Sequence, residues 1–198
     1  MRLVLASASP RRAELLRAAG FDFVVKAVTI DEVPFAEENA RALVSRLAAA
    51  KARAVSGTEP GDVIVAADTV VVVDDDILGK PQDDRDATAM LRQLSGRTHQ
   101  VLTGVVVRHG DHLATSVEET HVSFAALGPS EIAWYVASGE PRDKAGAYGI
   151  QGLASRFVER IDGSYANVVG LPVSTLHRML REAGLLLELR VFIPGAPE

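Results

Sequence analysis

Two arginines stand at the end of a helix that ought to repel them. Leu3-Val4-Leu5-Ala6 reads as a short apolar strand and Ser7-Ala8-Ser9 as a tight crossing. Pro10-Arg11-Arg12-Ala13-Glu14-Leu15-Leu16 then reads as a helix start, with Ser9 as N-cap and Pro10 in the first helical position. The helix macrodipole is positive at this end, and each misplaced cation costs about 0.3–1 kcal/mol. Free backbone N–H groups, serine hydroxyls and two guanidinium forks together describe an anion site, best suited to phosphate. The alternative is a solvated first turn with both arginines in water.

Asp68 is the second anomaly. It interrupts Val63-Ile64-Val65-Ala66-Ala67-Asp68-Thr69-Val70-Val71-Val72-Val73, a run hydrophobic enough for a strand buried on both faces. A carboxylate there needs a partner. It can cap a neighbouring helix, pair with a buried Arg, hold a metal ion or deprotonate water. Thr69 is either a β-branched filler or a hydroxyl that meets a ligand. Lys51 falls on the row of Leu43, Leu47 and Val55, the apolar stripe of a helix, where it either snorkels to the edge or reaches toward phosphate. Lys80 sits between Gly79 and Pro81, which restrict its backbone. In Ile30-Asp31-Glu32-Val33, one acid can face a site while the other is solvated.

The stretch Asp143-Lys144-Ala145-Gly146-Ala147-Tyr148-Gly149-Ile150-Gln151-Gly152 allows close backbone approach to a ligand. Gln151 offers it a paired donor and acceptor. Gly163-Ser164-Tyr165-Ala166-Asn167 and the residues up to Pro172 read as a structural turn, with Asn167 the candidate exception. Other motifs fail on their spacing. His109 and His112 lack a third ligand. Asp74-Asp75-Asp76 reads as a plain acidic turn. Gly79-Lys80 lacks the glycine and hydroxyl pattern of a Walker A loop, and no Gly-x-Gly-x-x-Gly follows the first strand.

The elements that must position these residues alternate between helix and strand. Strands are expected at Phe21 to Ile30, Asp62 to Val73, Ile77-Leu78, His99 to Arg108, Leu113 to Leu127 and Phe157 to Ile161. Helices are expected from Glu37-Glu38-Asn39 to about Val55, from Asp83 or Asp84 to Ser95-Gly96, from Ser130-Glu131 to Gly139, and from Pro172 to Gly184. This alternation argues for an α/β fold with a mixed, partly antiparallel sheet.

Bulk properties narrow the partners. The 198 residues carry 21 Lys and Arg against 26 Asp and Glu, a net charge of −5, which argues against binding long nucleic acid. The absence of cysteine excludes disulfides and thiolate metal sites and agrees with a reducing cytoplasm. The first strand is too short for a signal peptide and arginines follow at once, so none is expected. No apolar run approaches the roughly 20 residues that span a bilayer, so no membrane partner is expected.

Six blocks in order resemble the Maf family of nucleoside triphosphate pyrophosphatases. They are Leu5-Ala6-Ser7-Ala8-Ser9-Pro10-Arg11-Arg12, Ala66-Ala67-Asp68-Thr69-Val70-Val71, Leu78-Gly79-Lys80-Pro81, Leu94-Ser95-Gly96-Arg97-Thr98-His99, the stretch from Asp143 to Gly152 and the stretch from Gly163 to Pro172. The resemblance implies an α/β fold like the inosine triphosphatase group: an elongated mixed sheet flanked by helices, in two lobes around a central cleft. Residues 1–198 would form a single such domain, with the tail 185–198 unassigned.

The implied reaction is hydrolysis between the α- and β-phosphates of a nucleoside triphosphate with a divalent cation, Mg²⁺ or Mn²⁺. By matched position, Asp68 is the expected general base, and Glu32 and Asp68 the expected metal ligands. Ser7, Arg11, Arg12, Lys51 and Lys80 are expected on the triphosphate. Arg11, Thr69 and Gln151 match positions linked to substrate choice, and Lys144 to Gln151 resembles the branch acting on dTTP and UTP. A cytoplasmic homodimer is expected from the same resemblance. Two alternatives stay open: the branch acting on 7-methyl-GTP, and a non-catalytic nucleotide-binding regulator of cell division.

Overall fold

The computed structural model describes residues 1–186; the tail from 187 onward lies outside the described residues. The first half of the chain runs β1 (Leu3–Leu5), α1 (Pro10–Ala18), β2 (Phe23–Val25), α2 (Ala40–Ala54), β3 (Val63–Val73), β4 (Asp76–Leu78) and α3 (Asp84–Leu94). The second half runs β5 (Thr98–His109), β6 (His112–Phe124), α4 (Pro129–Ala137), β7 (Val158–Asp162), α5 (Tyr165–Val169) and α6 (Val173–Glu182). The strands form a seven-stranded mixed sheet in the order β2-β1-β3-β5-β6-β7, with β4 paired to β3. β1 pairs parallel to both β2 and β3, whereas β4 on β3 and β7 on β6 are antiparallel. No helix among the described residues is long and apolar enough to cross a membrane.

The chain packs as two compact units. The first comprises Met1–Asp68, Gly104–Glu118 and the chain from Gly170 on; the second comprises Thr69–Thr103 and Glu119–Val169. In the first unit the period-two alternation of the strands sorts side chains onto two faces. Leu3, Leu5, Val63, Val65, Val105 and Val107 pack with Ala13 and Leu16 of α1 and Leu176 and Leu180 of α6. Val4, Ala6, Ile64, Ala66 and Val106 pack on the opposite face with Ala48, Ala49 and Ala52 of α2. The alanines let α2 lie close to the sheet. A Cβ placed on Gly104 would stand 2.4 Å from the backbone oxygen of Val44, so glycine is required where α2 crosses β5.

Several expectations need correction in detail. The strand expected over Phe21 to Ile30 holds only for Phe23–Val25. Its partner β1 offers only Leu3–Leu5 for pairing, with one further bond from Lys26 N–H to the Leu5 carbonyl. Outside Phe23–Val25 the expected strand retains only an isolated bridge at Phe21 among the described residues. The Gly163 to Pro172 turn contains a helix, α5, where Ser164 Oγ accepts from Asn167 N–H at 3.2 Å. Helix α2 is capped as expected from Asn39, whose side chain accepts from Ala42 N–H at 2.9 Å, and α3 from Asp83, which accepts from Asp86 N–H at 2.7 Å.

The tight crossing at Gly104 yields a test. Gly104→Ala forces backbone against backbone, and overpacking of this kind costs about 1–3 kcal/mol. Urea unfolding should show that loss with an unchanged slope.

Candidate functional site

The first unit gathers six residues singled out in the sequence. Ser9 occupies the N-cap of α1, but its side chain makes no capping bond. Ser7 takes over the local role: its Oγ accepts from Ser9 N–H at 3.2 Å and from Arg12 Nη1 at 3.1 Å. Arg12 Nε also donates to the Gly170 carbonyl at 2.8 Å. The guanidinium is therefore held between the β1–α1 crossing and the residues that lead into α6. Neither arginine simply decorates a solvated turn: both are half-buried. Desolvation lowers the Arg12 pKa from its ordinary value, Asp68 and Glu32 oppose that shift, and neighbouring Arg11 reinforces it. Arg11, Arg12, Glu32 and Asp68 thus lie within one another's electrostatic reach.

Lys51 resolves the question left by its place on the apolar stripe. It is buried on α2, with its ammonium 2.5 Å from Asp68 Oδ1 and 2.6 Å from Glu32 Oε1. Asp68 is itself buried on β3, whereas Glu32 is exposed on the segment after β2. The cation partner that a carboxylate inside a hydrophobic strand demands is therefore this lysine. Removing Lys51 would leave Asp68 buried without its ion-pair partner, a loss of about 3–5 kcal/mol, whereas Lys51 without Asp68 keeps Glu32.

The same geometry tests the fit of a metal ion. Two carboxylates converge on a point that a cationic centre already occupies, and their hard oxygens suit Mg²⁺ or Mn²⁺. Mg²⁺ characteristically takes one or two protein carboxylates and completes its shell with water and substrate phosphates. No group of three or more His, Cys, Asp or Glu among the described residues is placed to hold a metal ion unaided. The arrangement fits a cation that arrives with a phosphate ligand rather than a permanent structural ion.

Thr69, Lys80 and Gln151 belong to the second unit. Thr69 is half-buried, and its Oγ1 lies 2.9 Å from Thr103 Oγ1. Lys80 and Gln151 are exposed. The segment around Gln151 is tied to the one around Lys80: Gly146 N–H donates to the Gly79 carbonyl at 3.0 Å. Gly146 has φ +66°, and a Cβ there would meet Val71 Cγ2 at 2.8 Å, so this loop lies directly on β3 two residues beyond Thr69.

Sequence reasoning missed the residues that shape this loop. Tyr135 on α4 donates to Glu140 Oε1 at 2.9 Å and accepts from Gly149 N–H at 3.1 Å. Glu140 Oε2 in turn accepts from Leu153 N–H at 2.9 Å. A Cβ on Gly152 would sit 2.3 Å from Glu140 Oε2, so the glycine beside Gln151 makes room for that carboxylate. The available signal was Gly139-Glu140-Pro141, a carboxylate held at a helix exit by a rigid neighbour. His99 is a further case. It is buried against Phe124 and Tyr148, with Nε2 2.8 Å from the Tyr148 hydroxyl.

The chain thus has an α/β sheet whose first helix start carries two arginines beside a lysine-bridged carboxylate pair. The chain belongs to the Maf family: the family model described as Maf-like protein matches residues 2–183. A Symbiobacterium thermophilum protein named dTTP/UTP pyrophosphatase is 52% identical over 183 residues, covering 92% of this chain and 94% of that protein. A Myxococcus xanthus protein of the same name is 52% identical over 188 residues, covering 95% of each. Among solved structures, the Staphylococcus aureus Ham1 protein matches with a TM-score of 0.53 at 12% identity, over 92% of this chain and all of that one. That likeness establishes a shared fold.

Burial pushes the His99 imidazole down from 6.5 to about 4. The folded state holds it neutral, while the unfolded chain protonates it near the ordinary value. Its contribution is therefore complete above pH 6.5 and is lost as pH falls toward 4. Between pH 7 and pH 4.5, urea unfolding of His99→Gln should lose about 2 kcal/mol less stability than wild type.

Proposed function

We propose that this protein hydrolyses dTTP and UTP to the monophosphate and pyrophosphate. The observation that carries the reading is the buried Asp68 bridged to Glu32 by Lys51, beside Arg12 and the start of α1. Full-length similarity to proteins named for this activity supports it. In this reading Asp68 takes a proton from the attacking water. Ser7, Arg11, Arg12, Lys51 and Lys80 bind the triphosphate. Ser7 Oγ already accepts from Ser9 N–H and Arg12, so its own proton can go to a phosphate oxygen. Arg12 is held rigidly enough to present a fixed fork. Glu32 and Asp68 would hold Mg²⁺ or Mn²⁺, which would neutralise developing charge on the phosphates. Arg11, Thr69 and Gln151 would set substrate choice. The same reading makes the active species a cytoplasmic homodimer.

The direct test is pyrophosphate release from dTTP, UTP, CTP, GTP, ATP and 7-methyl-GTP with Mg²⁺ and with Mn²⁺. Release from dTTP and UTP ahead of the others supports the proposal. Preference for 7-methyl-GTP, or nucleotide binding without release, overturns it in favour of the other family branch or a regulator.

Asp68→Asn keeps the shape and removes the base. Its kcat should fall by about 10²–10⁴-fold while nucleotide affinity, titrated by calorimetry, is largely kept. Gln151→Ala removes an amide that can pair with the edge of uracil or thymine. Its kcat/KM should fall for dTTP and UTP by about 1–3 kcal/mol of transition-state binding, and less for ATP and GTP. An equal loss for all four nucleotides would assign Gln151 to loop support.

A further inference from the structure

We propose that Thr103 and Asn167 fix the proton direction of the Thr69 hydroxyl, so that Thr69 meets the substrate base as a hydrogen-bond acceptor and selects a base with a ring N–H. This rests on the pyrophosphatase reading, in which Thr69 faces the nucleotide.

The network lies within the second unit. Asn167 is fully buried on α5. Its Nδ2 donates to the Val101 carbonyl at 2.9 Å and to Thr120 Oγ1 at 3.0 Å. Exchanging the amide oxygen and nitrogen would set oxygen against the Val101 carbonyl, so the side chain has one orientation. Thr120 in turn passes its proton to the Ser164 carbonyl at 3.4 Å and accepts from Ser164 N–H at 3.0 Å. These bonds lock the backbone of Asn167 against β5 and β6.

The direction of the remaining bonds follows from counting protons. Thr103 is fully buried and donates through Oγ1 to the Asn167 carbonyl at 3.2 Å. A carbonyl only accepts, and a threonine hydroxyl has a single proton. Toward Thr69, Thr103 therefore presents lone pairs. The 2.9 Å contact between the two hydroxyls must use the proton of Thr69. What Thr69 then offers to any further partner is a lone pair. Uracil and thymine carry N–H at ring position 3, where cytosine carries a lone pair. An acceptor with its proton committed elsewhere attracts the first and repels the second. The Gln151 amide N–H remains for a ring carbonyl.

The test is the ratio of kcat/KM for UTP to that for CTP. Thr103→Val releases the Thr69 proton, lets the hydroxyl turn and donate, and should lower the ratio at least about tenfold. Thr103→Ser keeps the proton chain and should stay within about twofold of wild type. A merely structural role would lower both substrates together and leave the ratio unchanged, which would overturn the proposal. Should Thr103→Val fail to fold by circular dichroism, Thr69→Val decides: removing the acceptor must cost UTP more than CTP, and an unchanged ratio overturns the proposal. A wild-type protein inactive on UTP instead refutes the pyrophosphatase reading itself.

Discussion

A single buried ammonium ties three stretches of the first unit to one another. Lys51 reaches from the apolar face of α2 to Asp68 on β3 and to Glu32 on the segment after β2. Without it, a buried carboxylate in a mostly hydrophobic strand would lose its ion-pair partner. With it, three separate stretches of chain share one electrostatic centre. Arg12 joins that centre from α1, desolvated and steadied by Ser7 and the Gly170 carbonyl. The surrounding core exists in part to hold these charges where water does not screen them.

The second unit solves a different problem, the shaping of a stretch built only from short 3-10 turns, Glu140–Asp143, Ala145–Ala147 and Leu153–Phe157. Glu140 and Tyr135 collect backbone N–H groups from Gly149 and Leu153, and Gly146 and Gly152 allow the chain to pass close to Val71 and Glu140. His99 and Tyr148 anchor the loop in an aromatic cluster. Lys144 adds bonds to the Glu140 carbonyl and the Asp143 carboxylate, each at 2.6 Å.

The extent to which the sequence was legible follows from how local each signal is. The β-branched run around Asp68 became β3 with nearly its expected bounds, because ten buried residues out of eleven leave little choice. Lys51 and Asp68 each stood out because a charge broke a hydrophobic pattern. The expected strand over Phe21 to Ile30 shrank to three residues, since strand length depends on the partner and not on propensity alone. Ser9 sits at its cap position without a side-chain capping bond, while its backbone N–H goes to Ser7 Oγ. Thr103 carried no visible mark, Glu140 showed only its place in Gly139-Glu140-Pro141, and Asn167 stood out only as the exception in a turn. Their partners lie far away in sequence, and a polar residue at an alternating strand position looks the same whether or not it belongs to a network.

The close crossing of α2 over β5 carries a consequence for how this chain can diverge. Val44 and Lys51 are seven residues apart on one helix, hence two turns along the same face, about 10 Å apart by the rise of an α-helix. The seat at Gly104 sets how deep the helix lies, and that depth sets whether a four-carbon stem can reach both acids. Positions 51 and 104 are therefore linked through the depth of α2. A lineage that replaces the glycine must shift the helix outward, and its descendants would then need a longer cation at 51 or a different acid geometry at 32 and 68.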